Sequence, residues 1–222
     1  MILTNYNRCL LVRLLSRGNM ASLLGTPFLF EQRTNPNGLP CLKGYNIING
    51  ELKDASDGNR FDSLNPAILD DVVGSFPAST KDDVNEALDI AKSKLSLWSN
   101  TPAPSRGQII GNMGRLLMEY KDEIVRLETR EIGKTLKESG GSVQEAIDTC
   151  LFFQSEGRRL YGQTVNSELP NKELMTYRRP IGVVGVINAC NFPAAVPFWK
   201  IIPALICGNT VVWKSPQDAP AL

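Results

Sequence analysis

The stretch that decides the fold runs from residue 181 to residue 214 and reads IGVVGVINACNFPAAVPFWKIIPALICGNTVVWK. Its first seven residues are apolar or glycine at every position, which predicts a strand buried on both faces, as in a parallel sheet. Residues 194–207 predict an apolar helix that ends before Gly208. Residues 210–213 predict a second apolar strand, which ends at Lys214. The stretch is therefore a strand, helix and strand of the length that a parallel sheet requires.

Two loops follow these strands and lie at the same edge of the predicted sheet, where ligands bind in α/β proteins. The first, residues 188–193, contains Asn191, whose amide can donate a hydrogen bond to a developing oxyanion. The same asparagine can equally well stabilise a turn. The second loop begins at Lys214, whose charge can hold the hydroxyls or phosphate of a nucleotide, or simply extend from a strand end into solvent.

The composition excludes several classes of chemistry. The 222 residues contain 24 Lys+Arg, 23 Asp+Glu and no histidine, for a net charge of +1. Catalysis by a Ser-His-Asp or Cys-His arrangement is excluded, and so is a histidine-liganded zinc site. We predict no metal site. The balanced charge gives no reason to expect a nucleic-acid partner, and no run of about 18 apolar residues predicts a membrane span.

The chain has five cysteines, and no two of them form a C-x-x-C motif. An odd, widely spaced set of this kind is typical of reduced, intracellular cysteine. We predict Cys150 and Cys207 to be core residues, because both fall on apolar helix positions. Cys190 has no acidic or basic residue near it in sequence to generate a thiolate, so it is interpreted as a packing residue or as part of a cofactor-facing wall.

The segments before residue 181 divide into strands, helices and a hairpin. Residues 31–44 read as an irregular lead-in, and residues 45–77 as short strands with a turn at Asn49-Gly50. Four amphipathic helices follow: the first begins at Ser79-Thr80, the second at Ser105, the third at about Lys121 and the fourth at about Ser142. The third ends at Gly133 and the fourth at about Leu160. Residues 161–180 predict a β-hairpin.

The N-terminal residues 1–30 carry three arginines and no acidic residue. This pattern is typical of a mitochondrial presequence, and a misplaced start codon with Met20 as the true start is an equally good interpretation. We predict residues 1–44 to be an N-terminal extension or presequence. The predicted location is cytoplasmic, with the mitochondrial matrix as the alternative.

From residue 46 to residue 222 the sequence resembles the N-terminal part of an NAD(P)-dependent aldehyde dehydrogenase. The resemblance rests on several motifs in family order and at family spacing. They are INGE (48–51), NPA (65–67), Trp98 with Arg106, EIGK (131–134), RPIGVVGVI (179–187), NFP (191–193) and ALICGNTVVWK (204–214).

The resemblance implies a fold class and site residues. The fold would be α/β, with an incomplete Rossmann-like parallel sheet, N-terminal strands, a helical layer and an oligomerisation hairpin at residues 161–180. Residues 45–160 and 181–222 would form a partial cofactor-binding domain. Asn191 matches the asparagine that helps form the oxyanion hole. The residues implied to contact NAD or NADP are Ile187, Asn188, Ala189, Cys190, Lys214 and Gln217.

The resemblance also implies the reaction and its partners. The enzyme would oxidise an aldehyde to a carboxylate with NAD(P)+ and assemble as a homo-oligomer. Gln217 stands where many members have glutamate, which leaves NAD and NADP open, and Cys190 replaces a large aromatic residue. The family's catalytic cysteine and general-base glutamate lie beyond the position matching Leu222, so we predict that this chain alone is inactive. The alternative is a non-catalytic assembly or nucleotide-binding module derived from that family.

Overall fold

The computed structural model describes residues 30–34 and 38–222. The predicted presequence and the alternative start at Met20 lie outside the described residues. The first six strands are β1 (Phe30–Thr34), β2 (Pro40–Lys43), β3 (Asn46–Ile48), β4 (Glu51–Lys53), β5 (Arg60–Asn65) and β6 (Ile68–Pro77). Within the described residues, four of them form a sheet in the order β1-β2-β6-β5, with β2 and β6 parallel and the other pairs antiparallel.

The interpretation of residues 31–44 as irregular was wrong, because β1 and β2 lie in this segment. Strand β2 pairs with β6 in the register Leu42 to Gly74, and Leu42 is buried in the core beside Phe76. The Asn-Pro-Asn-Gly turn signal covers only residues 35–38. The pairing partner of β2 lies some thirty residues further along the chain, so local composition gave no indication of the strand.

The predicted turn at Asn49-Gly50 is confirmed. It connects β3 to β4 as an antiparallel hairpin, with Ile48 opposite Glu51. Asn49 has φ 53° and Gly50 has φ 81°, so both lie in the left-handed region that a tight hairpin turn requires. The hairpin places Ile48 against Ala87 and Ala91 of the next helix, in the smaller of the two buried apolar clusters of the described residues.

Four helices follow and form a layer over the strands: α1 (Lys81–Asn100), α2 (Ala103–Glu119), α3 (Lys121–Ile132) and α4 (Leu136–Glu156). Helix α1 begins where the sequence predicted, because Thr80 and Asp83 form a reciprocal capping box. Helix α3 ends at Gly133, whose φ of 76° terminates the helix. Both observations confirm boundaries predicted from single residues.

Helix α4 begins six residues before the predicted start at Ser142 and ends before Leu160. Gly140 and Gly141 favoured a later start, because glycine weakens a helix interior. The helix begins instead at a capping box, in which Thr135 accepts from the backbone of Glu138 and the Glu138 carboxylate accepts from the backbone of Thr135. This N-terminal signal outweighs the two glycines.

The predicted hairpin and the strand–helix–strand unit both form. The remaining elements are β7 (Thr164–Asn166), β8 (Glu173–Met175), β9 (Val183–Ile187), α5 (Ala195–Ile206) and β10 (Thr210–Lys214). Strands β7 and β8 are antiparallel and exposed at every residue. Strands β9 and β10 are parallel, in register from Val183 opposite Thr210 to Ile187 opposite Lys214.

Strand β9 is not buried on both faces, which corrects the prediction for residues 181–187. Val186 is the buried residue of this strand, whereas Ile187 is 83% exposed. Within the described residues β9 pairs only with β10, and α1 and α5 cover part of its two faces. An apolar sequence indicates that a strand can be buried. Whether it is buried depends on the strands and helices that pack around it.

Helix α5 is joined to the helical layer by two side chains, the half-buried Trp98 and the buried Arg106. The Trp98 indole donates a hydrogen bond to the carbonyl of Leu205 at 3.0 Å. The Arg106 guanidinium donates to the carbonyl of Ile206 at 3.0 Å and to those of Ser99 and Thr101. These bonds fix the strand–helix–strand unit against the first two helices. No helix among the described residues is long and apolar enough to cross a membrane.

Candidate functional site

The two loops predicted to carry function leave the same edge of the β9–β10 pair. Ile187 and Lys214 are opposite each other at the last position of the parallel register. The loop containing Asn191 and the loop containing Gln217 therefore begin side by side. This is the edge at which parallel strands of α/β proteins bind ligands, so the geometry agrees with the prediction from sequence.

A cavity of about 600 Å³ opens at this edge. Three of the predicted cofactor residues line it, namely Ile187, Lys214 and Gln217, whereas Asn188, Ala189, Cys190 and Asn191 do not. Its other walls come from the start of α1 and from the ends of β5 and β6. The volume lies within the range of small-molecule sites. The structure thus brings together only part of the predicted set.

The strand-end residue Asn188 is fixed by Trp213 of β10. The Trp213 indole donates a hydrogen bond of 2.6 Å to Asn188 Oδ1, and Asn188 Nδ2 donates to the carbonyl of Ala189 at 2.9 Å. Trp213 is 2% exposed, so its position is set by the core. This role of Trp213 was not predicted from the sequence; the one available signal was that a buried indole needs a hydrogen-bond acceptor.

Asn191 is exposed, and its side chain makes no hydrogen bond to any residue in the described part of the chain. A turn-stabilising asparagine would bond to the backbone nearby. The next residue, Phe192, is half-buried, and its ring centroid lies 6.4 Å from that of Trp199. The Asn191 amide is therefore free to donate, and the aromatic residue beside it fixes the loop.

Two carboxylates are buried near this loop. Glu128 Oε2 accepts a hydrogen bond of 3.0 Å from Ser142, and its Oε1 lies 3.7 Å from the Lys134 ammonium. Burial raises the pKa of Glu128 to about 7, although Ser142 and Lys134 oppose the rise. Glu131 is 2% exposed, and burial raises its pKa to about 8 despite hydrogen bonds from Ala221 and Ser63.

Glu131 and Lys134 belong to the EIGK motif of the resemblance, but this network was not predicted from the sequence. Its members come from α3, α4, β5 and the segment after β10, up to 90 positions apart. Within a single sequence a buried glutamate looks the same as one on a solvated helix face. The only available signal was that both carboxylates share one side of α3.

The burial of the cysteines agrees with the prediction for Cys150 and differs from it for Cys207. Cys150 is fully buried, as predicted, and burial raises the pKa of its thiol to about 12. Cys207 is exposed, so the prediction of a core position was wrong. It is the residue after the last turn of α5, and the buried stripe of that helix ends at Ile206. Cys190 is half-buried in the loop after β9.

This fold is that of an α/β protein with a cavity at the edge where two parallel strands end. The model of the Aldehyde dehydrogenase family matches residues 53–222. The chain belongs to the aldehyde dehydrogenase family and corresponds to the N-terminal portion of its members.

Individual relatives agree with this assignment. The chain is 39% identical over 177 residues to an alpha-ketoglutarate semialdehyde dehydrogenase of Haloferax volcanii, covering 80% of this chain and 37% of the relative. Among solved structures, an NADP dependent enzyme of E. coli superposes with a TM-score of 0.77 at 38% identity, covering 79% of this chain and 36% of that one. A betaine aldehyde dehydrogenase of Staphylococcus aureus in complex with NAD+ superposes with a TM-score of 0.76 at 29% sequence identity. The match covers 78% of this chain and 36% of that one. The chain thus spans little more than a third of the length of these relatives.

Proposed function

We propose that this chain supplies the oxyanion donor and part of the cofactor site of an NAD(P)-dependent aldehyde dehydrogenase. The observation that carries the proposal is the free Asn191 amide, which lies in the loop after β9 and is fixed through Phe192. Oxidation of an aldehyde passes through a tetrahedral intermediate, whose oxyanion an amide N–H stabilises at this position. The bound nicotinamide accepts the hydride.

The residues present fit a dinucleotide. Lys214 extends its ammonium at the rim of the cavity, where it can donate to ribose hydroxyls, and Gln217 offers a neutral amide on the same wall. Ile187 presents an exposed apolar side chain at the same cavity. Asn188, Ala189 and Cys190 lie in the loop outside the cavity, and we infer that they contact the part of the cofactor that extends beyond it. A neutral Gln217 neither repels nor pairs with a 2′-phosphate, so this position admits both NAD and NADP.

The remaining elements have assigned roles in the same proposal. Strands β9 and β10 with α5 form the start of a Rossmann-like parallel sheet, and residues 45–160 and 181–222 form a partial cofactor-binding domain. The exposed hairpin β7–β8 carries Val165, Leu174 and Met175, each at least 40% exposed. We assign this hairpin to contacts between subunits of a homo-oligomer, because pairing of apolar side chains across a subunit interface removes them from water.

The first test is the mass and activity of the native protein, captured from its source with an antibody to residues 161–180. We expect a species at least about twice the mass of this chain that reduces NAD(P)+ in the presence of an aldehyde. The purified 222-residue chain should produce no NAD(P)H. A native species of 24.4 kDa without activity would support the alternative, a non-catalytic module.

The second test changes Asn191 in the captured enzyme. Asn191→Ala should lower kcat by roughly 10²–10³-fold and leave the KM for NAD(P)+ unchanged, because one oxyanion donor is lost. Asn85→Ala is the matched control, since Asn85 is exposed on α1 and does not line the cavity. Full kcat in Asn191→Ala refutes the role assigned to the amide.

A further inference from the structure

Lys134 lies in the short connection between α3 and α4, and its ammonium is buried. Lys134 Nζ has no hydrogen-bond partner within the described part of the chain, and neither has Glu128 Oε1, which lies 3.7 Å away. A buried ammonium without an acceptor is costly, so such a group persists only where other interactions stabilise its charge. The surroundings of Lys134 identify those interactions.

The second neighbour of Lys134 is the ring of Phe192. Lys134 Nζ lies 3.8 Å from the ring centroid, within the range of a cation–π interaction. Such interactions are stronger when the cation is removed from water, and the Lys134 side chain is only 18% exposed. The Glu128 carboxylate on one side and the Phe192 ring on the other thus hold a single cation between α3 and the loop after β9.

Phe192 is directly bonded to Asn191, the residue with the free amide. On its other side the Phe192 ring packs against Trp199 of α5. The ring is therefore fixed by α5 and by the α3–α4 connection together. Gly133, in the left-handed conformation, ends α3 immediately before Lys134 and turns the chain at this point.

We propose that Lys134 is a positioning residue: by binding the Phe192 ring it fixes the loop of residues 188–193 and with it the Asn191 amide. The effect on catalysis rests on the function proposed for Asn191 above. A lysine that only filled space could be replaced by methionine of similar length without effect on the loop. A lysine that acts through its charge requires a cation at this position.

The test measures amide hydrogen exchange in this loop, over residues 188–192, in the 222-residue chain, since Pro193 carries no amide hydrogen. Lys134→Met should accelerate exchange in this loop by about tenfold, the loss expected for a partly buried cation–π interaction. Lys134→Arg should restore the protection, because a guanidinium also stacks on an aromatic ring. Lys137→Met, at an exposed position of α4, is the matched control and should have no effect.

A second variant separates this role from general destabilisation. Phe192→Leu removes the ring and leaves the Lys134–Glu128 pair, and it should accelerate exchange in the loop by a similar factor. Adding Lys134→Met to Phe192→Leu should then change the rate less than about twofold, because the two residues act through one contact. Unchanged loop protection in either single variant, or fully additive effects, overturns the proposal.

The catalytic consequence is measured in the captured enzyme. Lys134→Met should lower kcat and leave the KM for NAD(P)+ within about twofold, and Lys134→Arg should recover most of kcat. If the captured wild-type protein shows no activity, the function proposed for Asn191 fails while the exchange result still decides the role of Lys134. If loop exchange responds and kcat does not, the catalytic part of this proposal is refuted.

Discussion

Replacing Glu131 by glutamine tests how the core tolerates a buried carboxyl. Glu131 Oε1 accepts hydrogen bonds of 3.0 Å from Ser63 Oγ and 3.0 Å from the backbone N–H of Ala221. Burial raises its pKa to about 8, and the charge of Glu128 contributes to the rise. At neutral pH the carboxyl is therefore mostly protonated, and glutamine reproduces the shape and acceptor of that neutral form.

The direction of the pH dependence follows from the raised pKa. Between the ordinary value of 4.5 and about 8, the folded state keeps a proton that the unfolded state has lost. The stability is therefore fully present below pH 4.5 and decreases as the pH rises through this window. From about pH 6 to about pH 9, Glu131 lowers the free energy of unfolding by at most about 3 kcal/mol, at 1.36 kcal/mol per pH unit. Glu128, with a pKa of about 7, adds roughly 1 kcal/mol in the same direction.

The assay is denaturant unfolding of the 222-residue chain at both pH values. Glu131→Gln should be more stable than wild type by about 2 kcal/mol at about pH 6, and this difference should grow by up to about 3 kcal/mol at about pH 9. Glu145→Gln, at an exposed position of α4, is the matched control and should follow wild type. Equal pH slopes in wild type and Glu131→Gln would refute the reasoning.

Two further predictions concern helix packing and are measured by the same unfolding assay. Arg106→Met should destabilise the chain by about 3–5 kcal/mol, because three backbone carbonyls lose their donor, and Arg106→Lys should recover only part of this. Gly107→Ala should cost about 1–3 kcal/mol or more, because the new Cβ would lie 2.2 Å from the carbonyl oxygen of Gln154. Gly140→Ala, with nothing within 4 Å of its new Cβ, should instead stabilise helix α4 by about 0.5–1 kcal/mol. If Gly107→Ala proved more stable to unfolding than Gly140→Ala, the packing described would be contradicted.

The parts of the fold that local residues determine could be predicted from the sequence. The capping box at Thr80, the left-handed turn at Asn49-Gly50 and the stop at Gly133 each act within a few positions, and each lies where the sequence indicated. The strand, helix and strand from β9 to β10 was visible because apolar runs of fixed length are specific to a parallel unit.

The parts that distant contacts determine could not be predicted. Strand β2 depends on pairing with β6, and the exposure of Ile187 depends on how many strands flank β9. At the candidate site, the loop asparagine was visible, whereas the contact of Lys134 with Phe192 joins residues nearly sixty positions apart. Such contacts leave no periodic or compositional signal in a single sequence.

The hydrogen bonds between the helical layer and the last strand–helix–strand unit join residues that are synthesised far apart in time. Trp98 bonds to Leu205 across 107 positions, and Arg106 to Ile206 across 100. During synthesis at about 5–20 residues per second, Trp98 and Arg106 therefore wait roughly 5–20 s for these two carbonyls. Contacts between residues so far apart in the chain slow folding, because a long loop must close before they form.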